Sequence, residues 1–97
     1  MKLIYKARRS GRTYELIQMA NKPGTCIVTT SHRCALAIVR QAENMGLHIQ
    51  FPLVYDDFFT GVPSPGVQEF LFDDLDVWLD FRCRGAKVGA IVLEEQS

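Results

Sequence analysis

Ninety-seven residues, 47% hydrophobic and 23% charged, suffice for one small globular core and are too few for two. Eleven basic residues offset eleven acidic ones, and a net charge of zero argues against a protein held to nucleic acid by bulk attraction. No run reaches the ~18 apolar residues of a membrane span, and the first residues lack the apolar core of a signal peptide.

The charge is nevertheless uneven. Lys2, Lys6, Arg8, Arg9 and Arg12 crowd the start of the chain, and Asp73, Asp74, Asp76 and Asp80 crowd a later segment. A basic loop and an acidic cluster are the two halves of a metal–phosphate site; two solvated faces produce the same pattern. Cys26, Cys34 and Cys83 are widely spaced, form no C-x-x-C pair and have only His32 and His48 to join them, which argues against zinc. Cys26 and Cys34 sit among apolar neighbours and read as reduced core residues, so the expected compartment is a reducing cytosol.

In chain order, residues 2–7 read as a strand that runs into Arg8-Arg9-Ser10-Gly11-Arg12-Thr13. A basic, glycine-containing turn between a strand and a helix start is built for phosphate. The turn offers backbone N–H groups and the helix adds its positive end. A short helix over 13–21 is stopped by Asn21-Lys22-Pro23-Gly24. The β-branched run 25–30 is of buried-strand type. Ser31 caps a helix over 32–45 whose apolar face is Cys34, Ala35, Ile38, Ala42 and Met45, with Gly46 as its C′ residue. His48 to Tyr55 reads as a third strand weakened by Pro52, and 56–59 as one helical turn.

Residues 60–66 form a loop. Phe70-Leu71-Phe72 is a short strand ending in Asp73-Asp74. A helix through Leu75, Trp78, Leu79 and Phe81 runs to Arg84 and stops at Gly85, and 88–93 reads as a last strand. That helix is apolar around much of its circumference: burial against the sheet accounts for most of this, and a partner surface for the surplus. Phe58, Phe59 and Val62 make a second apolar patch, read either as a partner surface or as a segment folded back over the sheet end. Continuous apolar strands alternating with helices predict an α/β fold with three layers, a mostly parallel five-stranded sheet and helices on both faces.

Gly11-Arg12-Thr13 resembles the Gly-Lys-Thr end of a Walker A loop, with Lys6 where the pattern has its first glycine and Arg12 in place of lysine. Glu69 to Asp74 resembles a Walker B strand, although an aspartate capping a helix explains the same string. With Thr29-Thr30-Ser31 at a strand end, the chain resembles a degenerate, minimal P-loop NTPase core in the style of phage terminases and helicases. The resemblance implies strands near residues 2, 25, 49, 69 and 88 in the spatial order first, fifth, fourth, second, third. It also implies Mg²⁺ held by Thr13 and Asp73, and water oriented by Asp74 in a catalytic role. Phosphate would be bound by Arg8, Arg9, Ser10, Gly11, Arg12 and Thr13.

Arginine for lysine and aspartate for glutamate favour nucleotide or phosphate-ligand binding with weak or absent hydrolysis. The alternative is a non-enzymatic phage protein in the host cytosol that binds a host or phage protein, or sequesters a signal molecule, on the same fold. A third reading is a nucleic-acid binder using the basic cluster, with Ser31, His32 and Arg33 at the place where helicase-like relatives touch nucleic acid. Their plainer role is a helix cap with exposed neighbours. An uncovered first strand would invite pairing with a second copy as a homodimer.

Overall fold

The computed structural model describes Leu3 and residues 12–94. The expected strand at 2–7, apart from an exposed Leu3, and the loop residues Arg8, Arg9, Ser10 and Gly11 lie outside the described residues. The elements are α1 (Arg12–Ala20), β1 (Thr25–Thr29), α2 (His32–Asn44), β2 (Leu53–Val54), α3 (Tyr55–Phe59), β3 (Glu69–Phe72) and α4 (Leu75–Arg82). The three strands form one parallel sheet in the order β2-β1-β3. These are the strands expected near 49, 25 and 69, and they stand in the expected relative order.

β1 is buried at all five positions, as its unbroken Thr-Cys-Ile-Val-Thr run requires of a strand covered on both faces. On one face Ile27 and Leu71 meet Leu16, Ile17 and Ala20 of α1 and Ile38 and Ala42 of α2. Met19, Met45, Leu47 and Ile49 close the rim of that core. On the other face Phe70 and Phe72 meet Phe58, at ring-centroid distances of 5.0 and 5.3 Å. The strand alternation that turns Leu71 toward α1 and α2 turns its neighbours toward α3.

The ends of α2 follow from its sequence. Ser31 is extended and its hydroxyl accepts from the Cys34 N–H at 3.2 Å. At the other end Gly46, at φ 72°, donates to Glu43 C=O, and Leu47 donates to Ala42 C=O at 2.9 Å. That pair of bonds is a Schellman closure, which needs the left-handed residue that glycine supplies.

Three expectations are corrected. The strand expected over 48–55 is reduced to Leu53–Val54, because Pro52 has no N–H to give to a ladder and pairing starts only after it. The strand expected over 88–93 does not form: residues 87–94 run irregularly and are mostly exposed, with Val92 at 94%. Gly89 and Ala90 carry little surface to pack, and the Val88 N–H is turned to the Asp80 carboxylate at 3.3 Å. The third correction is that α4 has no fully buried residue, so sheet burial does not account for its apolar circumference. Trp78 is half-buried against Phe59 and Tyr55, and Phe81 is 80% exposed.

Among the described residues, no helix is long and apolar enough to cross a membrane. Ile27→Ala is expected to lower unfolding free energy by about 2–5 kcal/mol, by removing a buried side chain from the junction of both helices. Leu36→Ala, on the exposed side of α2, is expected to change it by less than about 0.5 kcal/mol. Urea titrations with unchanged slopes decide this, and equal losses would contradict the packing.

Candidate functional site at the carboxyl edge of the sheet

All three strands end at one edge, and each ends in polar residues. β1 runs into Thr29, Thr30 and Ser31, β2 into Tyr55, and β3 into Asp73 and Asp74. In parallel sheets this edge is where ligands collect, because helices start there and their N–H groups are unsatisfied. α2 and α4 begin directly at it. α1 reaches it from the other direction: a tight turn over 21–24 joins its last residue to the first of β1. Nine helical residues span about 13 Å, close to the length of β1, so Arg12 and Thr13 return to the carboxyl edge.

Asp73 is the centre of the arrangement. Its N–H donates to Val28 C=O at 2.9 Å, extending the β1–β3 ladder by one step. Its carboxylate Oδ2 accepts from Thr29 Oγ1 at 3.3 Å, and the residue is only 5% exposed. Asp73 has the parity of Leu71, so its side chain lies on the sheet face that α1 and α2 cover. Its C=O accepts from the Tyr55 hydroxyl at 2.9 Å. Tyr55 is fully buried, its ring 5.3 Å from Trp78, 6.1 Å from Phe72 and 6.3 Å from Phe59. The hydroxyl therefore ties the end of β2 to the end of β3 beneath β1, which lies between them.

Asp74 takes φ 54° and ψ 38°, a left-handed conformation that an L-residue adopts at a cost. It stands at the N-cap of α4 and makes no side-chain capping bond there. The capping account of this string thus falls on Asp74 by position, without a capping hydrogen bond from its side chain. Thr13 is the second residue of α1 and half-buried. Arg8, Arg9, Ser10 and Gly11 lie outside the described residues.

Among the described residues, no group of three His, Cys, Asp or Glu side chains converges to hold a metal. Ser31 works as the predicted cap, and His32 and Arg33 are exposed beside it. Burial pushes the Cys26 thiol up, against a smaller opposite effect of a backbone hydrogen bond at Leu53, so the buried thiol is an inert core group.

Thr29 was legible as part of a polar strand end. Tyr55 carried no signal as a site residue, since its partner is a backbone carbonyl that no spacing rule predicts. No family model, curated protein or solved structure matches this chain.

The Tyr55 phenol is raised well above its ordinary value, first by burial and then by the charges of Asp73, Asp74 and Asp76. The folded state therefore keeps a proton that the unfolded chain releases near pH 10. The contribution is whole below that pH and is lost as pH rises above it, at about 1.4 kcal/mol per pH unit. Tyr55→Phe is expected to remove this component, so the stability gap between wild type and variant should narrow between pH 9 and pH 11. A gap that is constant across this range in denaturant titrations would contradict a buried, protonated phenol.

Proposed function

We propose that this chain binds a nucleotide or another phosphate ligand at the carboxyl edge of its sheet, with slow or no hydrolysis. The observation that carries the reading is Asp73. It is a buried carboxylate at the end of β3, bonded to Thr29, and by strand alternation it faces the side of the sheet that α1 and α2 cover. In this reading the N–H groups at the start of α1, with Arg12 and the loop residues Arg8, Arg9, Ser10 and Gly11 before it, take the phosphate. Thr13 and Asp73 take a Mg²⁺ ion, which commonly binds through one or two protein oxygens, several waters and the substrate's phosphates.

The three-strand core is then the middle and one flank of a P-loop-like sheet. Weak turnover follows from chemistry. Phosphoryl transfer rests on positioning and charge stabilisation, and a planar guanidinium at Arg12 is not the compact cation of a P-loop lysine. Asp74, assigned to orient water, is one methylene short of glutamate.

A second reading is favoured by the exposure of Phe81, Ile91 and Val92, which suits a protein-interaction role without phosphate chemistry, toward a host or phage protein or a second copy.

Thermal shift with ATP, ADP, GTP, cyclic nucleotides and pyrophosphate, each with and without Mg²⁺, separates these readings. A phosphate ligand at 100 times its Kd is expected to add about 2.7 kcal/mol of stability, and Asp73→Ala to abolish the Mg²⁺-dependent part. ATP turnover is expected below ~1 s⁻¹, the low end of ordinary enzymes, and to rise in Arg12→Lys/Asp74→Glu. No shift with any phosphate compound would transfer the case to the interaction reading. Affinity for nucleic acid that falls steeply with log salt would instead support the basic-cluster reading.

A further inference from the structure

We propose that Tyr55 is a positioning residue: its hydroxyl latches the Asp73–Asp74 peptide and holds Asp74 in the left-handed conformation that sets the two carboxylates at the sheet edge. The role in ligand binding rests on the phosphate-site reading above, but the latch itself does not.

The geometry points to one group. The Asp73 carbonyl belongs to the peptide plane that leads into Asp74, and the Tyr55 hydroxyl donates to that oxygen at 2.9 Å. A bond to this oxygen restrains rotation of the whole plane, because the peptide unit is rigid. The residue that leads into the plane is fixed as well, by the Asp73 N–H bonded to Val28 and the Asp73 carboxylate bonded to Thr29. The corner so held is a non-glycine residue at φ 54°, a conformation that persists only where its surroundings over-determine it.

Tyr55 is suited to the task. Its ring is fixed among Trp78, Phe72 and Phe59, so the hydroxyl arrives at a set height, and the residue follows directly on Val54 of β2. Three strand ends are thereby locked to one another: β2 through Tyr55, β3 through Asp73, and β1 through Thr29. Once the latch is open, the corner is free to leave the left-handed region, α4 shifts at its first residue, and the Asp73 carboxylate loses its fixed bearing on Thr29.

Tyr55→Phe keeps the ring and removes only the donor. The test is backbone NMR of wild type and variant, reading the Asp74 HN–Hα coupling and Cα shift, with titration of Mg²⁺·ATP beside it. The latch predicts that the Asp74 coupling and shift move to averaged values in Tyr55→Phe, while the α1 and α2 signals stay in place. It further predicts at least ten-fold weaker Mg²⁺·ATP binding in the variant, and recovery when the tyrosine is restored. Unchanged Asp74 parameters in a folded Tyr55→Phe overturn the latch. Wild type that binds no Mg²⁺·ATP overturns the phosphate reading and leaves the NMR comparison to decide the latch. Equal Mg²⁺·ATP affinity with moved Asp74 signals removes the positioning role. Where Tyr55→Phe does not fold, the wild-type hydroxyl proton decides: slow exchange with a cross-peak to the Asp74 amide supports the latch, and fast exchange overturns it.

Discussion

β1 is the constraint on which the rest depends. A strand paired on both sides and buried along its whole length has no solvent to satisfy its polar groups. Its backbone is therefore shared between β2 and β3, and its side chains between two helical layers. The apolar positions Cys26, Ile27 and Val28 fit that demand. The two threonines do not fit it alone. Thr29 is fully buried with a hydroxyl to satisfy, and its partner is the carboxylate of Asp73. The buried hydroxyl thus finds its acceptor in a buried carboxylate, and the polar edge of the sheet begins where the central strand ends.

The two covering layers are unlike. α1 and α2 close one face with aliphatic side chains, several of them fully buried. The other face is covered by rings: Tyr55 is fully buried, while Phe58 and Trp78 are half-buried and Phe59 is 58% exposed. α4 is held there by Trp78, which stacks on Phe59 at 5.0 Å, and by Arg82. The guanidinium of Arg82 lies 5.2 Å from the Trp78 ring and reaches Asp56 at 3.2 Å. Exposed ion pairs of this kind contribute little, so the aromatic contacts carry the attachment. Local opening is expected to begin at α4 and the segment after it, where buried contacts are fewest.

Local rules accounted for most of the core and little of the site. The burial of Ala35, Ile38 and Ala42 followed from helical spacing, the Ser31 cap from its hydroxyl, and the Gly46 closure from the need for positive φ. Parallel pairing followed from strands with no polar alternation. What misled was β-propensity at 48–52 and 88–93, where apolar content stood in for pairing that Pro52, Gly89 and Ala90 do not support. Apolar pattern also overstated the burial of α4, since Val77 and Phe81 face outward. At the site, Asp73 was legible as the residue after a short apolar strand. The left-handed turn of Asp74 and the Tyr55 bond were not: no spacing rule puts a positive φ at this aspartate, and the bond joins the end of β2 to that of β3.

The arrangement also separates two carboxylates that a linear motif would treat as a pair. Asp73 continues the ladder of β3, and its side chain keeps the alternation of the strand toward α1. Asp74 leaves the strand in a left-handed step and opens α4 on the other side. Its charge, with that of Asp73, acts on the Tyr55 phenol. On the phosphate reading, Asp73 and the hydroxyl of Thr13 are the two side chains assigned to the cation, which is fewer oxygens than Mg²⁺ requires. The ion would keep its waters and need the ligand's own oxygens to be held. Metal and phosphate then bind as one unit, each supplying the charge that the other lacks.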